Sequence, residues 1–526
     1  MSELVNITKL DETWMKVLCS EVYQELDIQD RFSFKAGNEF DPRVKKGHWD
    51  GIKKLYNRRT KRMHVGLLLP LLELLNKKGW EYNVDPDLLP SGEQLDDEDV
   101  NEFFNFLDIH DEGEPLTPYD YQKDAFKYMM NMDRTTSLLA TSSGKSLIIY
   151  AVARAYQLMD EFQGKHIVIC VPSVALVEQI YSDFENYSNK PNRDWSVSKH
   201  VQKVSAKYPK ELNCQIIVTT WQSMSNMPLW VYEDIKAVLV DETHSASAKE
   251  LGRILESCNK APIKHGVTGT LNGMECDEMQ IHALLGPIKR FTTAKQIIDM
   301  GNASKIKIYM SILNYPLHLR KKFWEARKEF AAKDKAIGGG AKTWNYEVDF
   351  INSLKERTDF VFSMIDFFEG NKIVLFDRVE GYGKEMYEQY KESHPNKPVF
   401  LIVGGVKGDE REEIRKSMEN YDDAVIFASF GTMKQGVSIK KLHWAFFVSS
   451  GKAKIKVLQT VGRLMRNHKT KESGNIIDIV DDLSLDGQKN SCYKHAIKRI
   501  EYYTDEEHEV NFDKYELPDT TSVDLF

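Results

Sequence analysis

The feature that most constrains the fold is a series of short, continuous apolar runs separated by stretches long enough to form helices. Runs of this kind are typical of parallel strands that are covered on both faces of a sheet. The runs lie at 167–171, 216–218, 237–240 and 266–269, and again at 373–376, 400–403, 425–428, 445–448 and 476–480. Between the two series the pattern lapses in a polar region at about 302–357, which contains Gly338-Gly339-Gly340. We therefore predict an α/β protein with two successive parallel-sheet domains.

Composition excludes several classes of protein. A chain of 526 residues is too long for one hydrophobic core. The net charge of −8 means that any nucleic-acid binding must depend on local basic patches. The six cysteines form no metal-ligand or C-x-x-C spacing, so we expect no zinc site, no disulfide framework and a reducing cytoplasm. The most apolar stretch, 65–75, is interrupted by Pro70 and Glu73, so we expect no membrane span.

An acidic stretch rich in proline and glycine, at 85–118, indicates a first domain boundary. We predict a small N-terminal α+β domain with an acidic linker at 1–112. We predict a first parallel-sheet α/β domain at 113–298, a second α/β domain at 299–485 and a C-terminal helical extension at 486–526.

Seven residues between an apolar run and a helix form a candidate phosphate-binding turn: Ala140-Thr141-Ser142-Ser143-Gly144-Lys145-Ser146. A small-residue turn at a helix N-terminus directs backbone N–H groups at phosphates. The lysine reaches the β- and γ-phosphates of ATP, and the Ser146 hydroxyl can ligate Mg²⁺. Leu139 stands where such a turn usually has its first glycine.

Asp241-Glu242-Thr243-His244 follows the apolar run 237–240, at the edge of the sheet where ligands bind in parallel α/β folds. Asp241 is expected to hold Mg²⁺, Glu242 to orient or deprotonate the attacking water, and His244 to belong to the same catalytic set. Taken alone, these residues are better interpreted as a charged helix N-cap after a strand. The phosphate turn about 95 residues upstream favours a nucleotide hydrolase.

A third motif, Gln459-Thr460-Val461-Gly462-Arg463-Leu464-Met465-Arg466, lies in the second α/β domain. The spacing of Arg463 and Arg466 puts both side chains on one helix face, where we expect them to reach the γ-phosphate as arginine fingers. An isolated Arg-x-x-Arg would more often be a solvated basic face.

In this order, the motifs resemble those of superfamily-two helicases over about 350 residues, which implies two tandem RecA-like domains that use ATP and Mg²⁺. Tyr119 to Gln122 resembles the glutamine motif, so Gln122 is expected to read adenine. The remaining resemblances are Val171 to Gln179 with motif Ia, Val218 to Ser223 with motif Ic, Thr268-Gly269-Thr270 with motif III, Gln435-Gly436-Val437-Ser438 with motif V and Gln459 to Arg466 with motif VI. Gly436 is accordingly a predicted nucleotide-binding residue, and Gln459, Arg463 and Arg466 are predicted catalytic residues.

Further runs resemble the UvsW family, the recombination and replication-fork helicases of large tailed phages: Phe40-Asp41-Pro42-Arg43, Gly47-His48-Trp49-Asp50-Gly51, Gly436-Val437-Ser438 and Leu458 to Arg463. This resemblance implies unwinding of branched DNA, migration of Holliday junctions, regression of stalled forks and removal of R-loops. The implied location is the cytoplasm of the bacterial host. Two positions depart from the superfamily pattern, since Ser438 replaces an aspartate and Leu139 a glycine.

The expected partners are branched, forked and single-stranded DNA, an RNA–DNA hybrid, and a single-strand-binding or recombination protein. The domain at 1–112 is expected to recognise the DNA substrate and the domain at 113–298 to bind ATP. We expect that removing the residues before Asp111 spares the basal ATPase activity and weakens the unwinding of branched DNA. The DNA-contacting residues are predicted at strand ends and in a basic, aromatic-dotted N-terminal stretch. They are Thr220, Trp221, Gly381 and Thr432 at strand ends, and Arg43, Lys45, Trp49, Arg58 and Arg59 in the N-terminal stretch. A solvated face is an equally good interpretation of that stretch.

Two other functions are compatible with parts of this pattern. One is an RNA helicase, or a translocating subunit of a restriction or repair complex, although D-E-T-H differs from D-E-A-D. The other is an inert nucleic-acid-binding scaffold that keeps the fold, against which Lys145, Asp241, Glu242, Arg463 and Arg466 all argue.

Overall fold

The computed structural model describes residues 4–36, 42–89, 94–189, 195–206, 208, 211–245, 249–271, 273–301, 304–336, 343–406, 408–433, 439, 441–449, 451, 457–458, 460–462 and 473–519. The chain divides into two compact units, Met1–Thr292 and Thr293–Phe526. No helix among these residues is both long enough and apolar enough to cross a membrane.

Helices occupy much of both units. In the first unit they are Val22–Arg31, Pro42–Lys45, Leu68–Lys78, Asp97–Leu107, Asp120–Met130, Lys145–Leu158, Val174–Tyr187, Val197–His200, Trp221–Met224, Lys249–Ser257 and Glu275–Leu285. In the second unit they are Ala294–Asp299, Leu317–Ala336, Thr343–Asn352, Lys355–Phe367, Lys384–Ser393, Gly408–Asn420, Phe430–Met433 and Ser491–Asp505.

A small mixed sheet begins the first unit. The strands of this part of the chain are β1 (Leu4–Lys9), β2 (Trp14–Cys19), β3 (Ser33–Lys35), β4 (Ile52–Lys54), β5 (Tyr56–Asn57), β6 (Arg62–His64), β7 (Glu81–Val84), β8 (His110–Asp111) and β9 (Glu114–Pro115). Five strands pair in the order β5-β6-β2-β1-β7, whereas β3–β4 and β8–β9 are separate two-stranded pairs. Alternate residues such as Val5, Ile7, Met15 and Val17 are buried against the helices, which confirms a small α+β fold here.

The rest of the first unit contains a seven-stranded sheet. Its strands are β10 (Arg134–Leu139), β11 (His166–Val171), β12 (Val201–Val204), β13 (Ile216–Thr220), β14 (Ile235–Asp241), β15 (Ile263–Thr268) and β16 (Ile288–Thr292). They pair in the order β12-β13-β11-β14-β15-β10-β16, and all the pairs are parallel. The carboxyl ends of the strands therefore lie at one edge, which carries the candidate site.

The second unit repeats this topology. Its strands are β17 (Lys305–Asn314), β18 (Lys372–Phe376), β19 (Val399–Ile402), β20 (Val425–Ser429), β21 (Trp444–Phe447), β22 (Ser473–Asp482) and β23 (Glu509–Glu516). The order β19-β20-β18-β21-β22-β17-β23 has the same succession as in the first sheet, and these pairs are also parallel. Two tandem RecA-like sheets are thus confirmed.

Two strands of the second sheet differ from the sequence expectation. The polar region at 302–357 contains β17, which pairs with β22 along its whole length and with β23. The predicted C-terminal helical extension at 486–526 contributes one helix, but it also contains β23, which lies at the edge of the sheet. Both strands alternate polar and apolar residues, so neither produces the continuous apolar run used as the signal.

The N-terminal sheet is anchored to the amino ends of β10 and β15. Lys264 is 1% exposed, and its Nζ donates hydrogen bonds to Thr13 Oγ1 at 2.7 Å and to the Leu255 carbonyl at 2.9 Å. Arg134, its neighbour across the strands, donates to the Glu12 carbonyl. Removing the residues before Asp111 would remove the Thr13 and Glu12 acceptors and leave Lys264 with the Leu255 carbonyl. The expectation that truncation spares the basal ATPase stays a prediction.

The acidic stretch is also packed rather than extended. Its helix Asp97–Leu107 begins with a capping box from Asp96. Phe103 stacks on Phe126 with 5.1 Å between the ring centroids, and Phe104 meets the same ring edge-on at 5.1 Å. Such aromatic pairs stabilise a contact beyond simple area burial. The helix Asp97–Leu107 therefore packs against the helix Asp120–Met130.

Candidate ATP site and nucleic-acid contacts

The predicted phosphate-binding turn is a tight loop between β10 and the helix Lys145–Leu158. Gly144 leads into the helix with a left-handed backbone (φ 74°), which glycine adopts without steric cost. A Cβ at this position would also collide with the side-chain amide of Gln122. Because the first N–H groups of a helix have no intrahelical partner, the loop ends at a site suited to an anion.

Two side chains of the helix Asp120–Met130 fix the shape of this turn. The Ser143 carbonyl accepts a hydrogen bond from Gln122 Nε2 at 2.8 Å and another from the Tyr121 hydroxyl at 3.0 Å. The other end of the Gln122 amide, Oε1, accepts from the Tyr119 N–H at 2.9 Å. The buried side chain of Gln122 thus contacts the phosphate-binding turn directly. Its recognition of adenine stays a prediction.

The ammonium group of Lys145 lies beside Gly269. A Cβ added at Gly269 would be 3.2 Å from Lys145 Nζ and 3.3 Å from Thr141 Oγ1. The absence of a side chain at Gly269 therefore leaves space around these two polar groups. Ser146, one residue further on, places its Oγ 3.0 Å from the hydroxyl of Tyr187. An ammonium group flanked by hydroxyls is the donor set that suits a phosphate and its Mg²⁺.

The two predicted catalytic carboxylates end β14. Asp241 is buried, and its Oδ1 accepts a hydrogen bond from the Glu242 N–H at 2.9 Å. Burial and the charge of Glu242 raise the pKa of Asp241, whereas the Lys145 ammonium opposes this shift. The Coulombic effect of Lys145 means that the turn and the end of β14 belong to one electrostatic site. A cation beside Asp241 would offset the cost of burying its charge.

His244 connects the carboxylates to the neighbouring strand β15. Its Nδ1 lies 3.2 Å from Glu242 Oε2 and 3.2 Å from Thr268 Oγ1. Thr268 Oγ1 in turn donates to the Thr270 carbonyl at 3.1 Å. The residues matched to motif III therefore lie within hydrogen-bonding reach of the D-E-T-H segment. His244 is almost fully buried, so it is suited to orienting Glu242 rather than to meeting solvent.

Backbone strain marks this site in a way that the sequence does not reveal. Ser142 and Glu242 both have left-handed backbones, with φ 68° and φ 57°, although neither is glycine. Such conformations cost free energy and persist where the surrounding structure enforces them, often at functional sites. No residue-type pattern signals the strain, because serine and glutamate are ordinary residues in ordinary turns.

The predicted DNA-contacting residues of the first sheet are buried. Thr220 is 4% exposed and ends β13, where its Oγ1 caps the short helix by accepting from the Ser223 N–H at 3.3 Å. Trp221 belongs to the hydrophobic core beneath the sheet. A nucleic-acid contact at this strand end would therefore depend on backbone groups and hydroxyls, because the indole ring is not available for stacking.

The second sheet has a matching arrangement at β20, the strand at the same position in the order. Ser429 Oγ accepts from the Thr432 N–H at 3.2 Å and lies 2.6 Å from Thr432 Oγ1. Thr432 itself is buried. Gly381 differs from it, because it is exposed and has a left-handed backbone (φ 74°) in an irregular turn after β18. Of these two predicted contacts, only Gly381 offers an open surface.

The basic N-terminal stretch divides into structural and exposed residues. Arg58 lies 3.7 Å from the carboxylate of the nearly buried Glu25, so its charge is largely compensated within the N-terminal domain. Arg43 lies over the ring of Trp49 at 4.9 Å, and Arg59 is exposed. A guanidinium stacked on an indole leaves its edge available to a phosphate. Arg43, Trp49 and Arg59 are therefore better candidates for DNA contacts than Arg58.

Several predicted residues lie outside the part of the chain that the structure describes. They are Gly436 of the motif V segment and Gln459, Arg463 and Arg466 of the motif VI segment. For Lys45 the backbone belongs to the helix Pro42–Lys45, but its side chain is likewise outside the description. Their roles stay predictions.

The chain is similar to several known proteins. The model of the family described as "Type III restriction enzyme, res subunit" matches residues 115–273. The ATP-dependent DNA helicase UvsW of Enterobacteria phage T4 is 30% identical over 515 residues, which are 94% of this chain and 96% of that protein. The crystal structure of T4 UvsW covers 98% of this chain and 100% of its own, at 26% identity and a TM-score of 0.49.

A DNA-bound Type ISP restriction-modification enzyme, LlaBIII, covers 76% of this chain and 32% of its own at 15% identity and a TM-score of 0.52. This likeness shows the fold alone. The identity to the phage protein carries more, because it extends over almost the whole length of both chains. The chain belongs to the UvsW family of superfamily-two helicases.

Proposed function

We propose that the protein uses ATP to drive the remodelling of branched DNA, by regressing forks, migrating Holliday junctions and unwinding R-loops in recombination, repair and replication. One observation carries the proposal. Lys145 of the predicted phosphate turn lies beside Gly269, and the adjacent Thr268 lies 3.2 Å from His244, which lies 3.2 Å from the Glu242 carboxylate at the end of β14. The relation to an ATP-dependent DNA helicase supports DNA as the substrate.

ATP binding is assigned to the turn and to Lys145. The N–H groups at the start of the helix Lys145–Leu158 and the Lys145 ammonium would bind the phosphates. The Asp241 carboxylate and the Ser146 hydroxyl would hold Mg²⁺, and hard oxygen donors of this kind are what that ion prefers. When bound, Mg²⁺ neutralises charge that develops on the phosphates.

Hydrolysis is assigned to Glu242, whose carboxylate would orient the attacking water and accept its proton. His244 Nδ1 lies 3.2 Å from Glu242 Oε2 and 3.2 Å from Thr268 Oγ1, a position suited to orienting the carboxylate. The left-handed backbone of Glu242 is the kind of local strain that occurs at functional sites. We propose that Gly436, Gln459, Arg463 and Arg466 also act on the nucleotide, in keeping with their resemblance to motifs V and VI.

Movement along DNA is assigned to groups at the strand ends of both sheets. The matched Thr220–Ser223 and Ser429–Thr432 caps and the exposed turn at Gly381 are candidates to contact the phosphate backbone. Backbone contacts carry no sequence code, so tracking is expected to be independent of sequence. We propose that Arg43, Trp49 and Arg59 contribute to the choice of branched substrates, together with Lys45 and, less strongly, Arg58.

The proposed partners are forked, branched and single-stranded DNA, an RNA–DNA hybrid and a single-strand-binding or recombination protein. The proposed location, the cytoplasm of a bacterial host, follows from the likeness to a phage protein. The restriction-enzyme family model covers only 115–273. It therefore supports the ATP-dependent motor more than a restriction role.

The test is a comparison of ATP-dependent unwinding on a fork, a Holliday junction, an R-loop, a linear DNA duplex and an RNA duplex. We expect the three branched substrates to be remodelled faster than the linear duplex, and Glu242→Gln to remodel none of them. Equal rates on all DNA substrates would contradict the preference for branches. A preference for the RNA duplex would favour the RNA-helicase alternative.

A further inference from the structure

A buried ion pair lies beneath the carboxyl edge of the second sheet. Asp481, near the end of β22, is 0% exposed, and Arg357, in the helix Lys355–Phe367, is 1% exposed. Arg357 Nε donates to Asp481 Oδ1 at 2.6 Å and its Nη2 donates to Oδ2 at 3.0 Å. This two-point geometry fixes the plane of the guanidinium.

The guanidinium has two further acceptors. Arg357 Nη2 donates to the Val448 carbonyl at 2.9 Å, and Nη1 donates to the Tyr382 hydroxyl. On the other side of the carboxylate, the Tyr315 hydroxyl donates to Asp481 Oδ1 at 2.7 Å. Burial, the largest single influence, lowers the pKa of Arg357, but the charge of Asp481 together with Tyr382, Tyr315 and the hydrogen bond to Asp481 raises that pKa well above its ordinary value. The Arg357 guanidinium therefore stays charged.

Stability alone is a weak reason to bury such a pair. The desolvation of two ions cancels most of their attraction, and apolar replacements are often as stable. A planar guanidinium with bonds in several directions does, however, fix the positions of its neighbours. Arg357 joins a helix, β22, the end of β21 and the turn after β18, so it defines where these four segments meet.

Tyr382 is the link from this pair to the surface. It is 4% exposed and lies in the irregular turn Val379–Gly383, directly after Gly381. Glu380 and Gly381 depart from helical backbone angles, with φ 74° at Gly381. The Gly383 N–H is bonded to the Arg378 carbonyl at 3.1 Å. One side of the turn is thus held inside the protein while Gly381 is exposed.

We propose that Arg357, held by Asp481, is a positioning residue that sets the DNA-contacting turn at Gly381 through the hydroxyl of Tyr382. This inference rests on the proposed contact between Gly381 and DNA. Arg357 is 1% exposed, so its contribution is to keep the exposed backbone of the turn in one arrangement before DNA binds. Preorganisation of this kind lowers the entropic cost of binding.

The test compares Tyr382→Phe with Tyr315→Phe in the full chain. Each variant loses one buried hydroxyl of the same network, but only Tyr382 belongs to the turn. Arg357→Met is a poorer first variant because it leaves the Asp481 charge buried without its partner. The measurements are ATPase turnover as a function of single-stranded DNA concentration, and thermal unfolding as the measure of structural damage.

We expect both variants to unfold at similarly reduced temperatures. Tyr382→Phe should raise the DNA concentration for half-maximal ATPase by about threefold to tenfold, which is a loss of about 0.7–1.4 kcal/mol in DNA binding and less than the full contribution of a hydrogen bond to a charged group. Turnover at saturating DNA should change little. Tyr315→Phe should leave that concentration within about twofold of the wild type. Equal DNA dependence in the two variants would overturn the positioning role. A wild type whose ATPase ignores DNA would instead contradict the proposed function.

Discussion

The contact between the N-terminal sheet and the first parallel sheet can be weakened by one substitution, Thr13→Val. Thr13 is buried, and its Oγ1 accepts a hydrogen bond from Lys264 Nζ at 2.7 Å. Valine keeps the shape of the side chain but removes the oxygen. A hydrogen bond to a charged group contributes about 1.5–3 kcal/mol. We expect the melting temperature of the first unit to fall by about 3–12 °C, at about 2–4 °C per kcal/mol.

The measurement is calorimetric unfolding of the full chain at about pH 6, below the Lys264 pKa of about 7, so that the Lys264 amine carries its charge. Thr8→Val is the matched control. Thr8 lies on the neighbouring strand β1 and is exposed, so its substitution should change the melting temperature little. A double-mutant cycle with Lys264→Met should show that Thr13→Val costs almost nothing once Lys264 is gone. If Thr13→Val melts like the wild type, or if the two substitutions are additive, Thr13 does not hold Lys264 and the anchoring argument fails.

Three further predictions concern single groups. Burial lowers the pKa of Lys264 to about 7, below its value in an unfolded chain, so the folded state favours the neutral amine. The wild type should therefore gain stability relative to Lys264→Met from pH 7 to pH 10, by up to about 1.4 kcal/mol per pH unit; parallel stability curves would contradict this. Glu242→Gln should keep ATP binding but reduce phosphate release at least about 100-fold, whereas lost ATP binding would mean that the base is misassigned. Ser146→Ala should raise the Mg²⁺ concentration for half-maximal ATPase about tenfold, and an unchanged requirement would remove Ser146 from the metal site.

The strongest predictions from the sequence are those that depend on short, local patterns of residues. The continuous apolar runs identified β11, β13, β14 and β18 because buried parallel strands need no polar face. Lys145 and Asp241 were assigned to one ATP site because parallel strands bring their carboxyl ends to one edge. The electrostatic effect of Lys145 on Asp241 is consistent with that expectation.

The features that sequence reasoning missed depend on long-range contacts. β17 and β23 have half-polar patterns, so their membership in the second sheet is decided by their partner strands. Lys264 is an ordinary lysine until Thr13, 251 residues away, bonds to it. The burial of the Trp221 side chain also depends on its neighbours in the fold, and the DNA contact predicted for the backbone at this position stays a prediction.

The most direct test of the central claim is the DNA-stimulated ATPase activity of Lys145→Ala. The Lys145 ammonium lies beside Gly269 and Thr141 and affects the charge of Asp241, so its loss should remove the main cation that binds the phosphates. Lys127→Ala is the control, because Lys127 forms an ion pair with the exposed Asp97. We expect Lys127→Ala to match the wild type and Lys145→Ala to lose at least about 100-fold of the stimulated turnover. A folded Lys145→Ala protein with wild-type turnover would contradict the assignment of ATP to this turn.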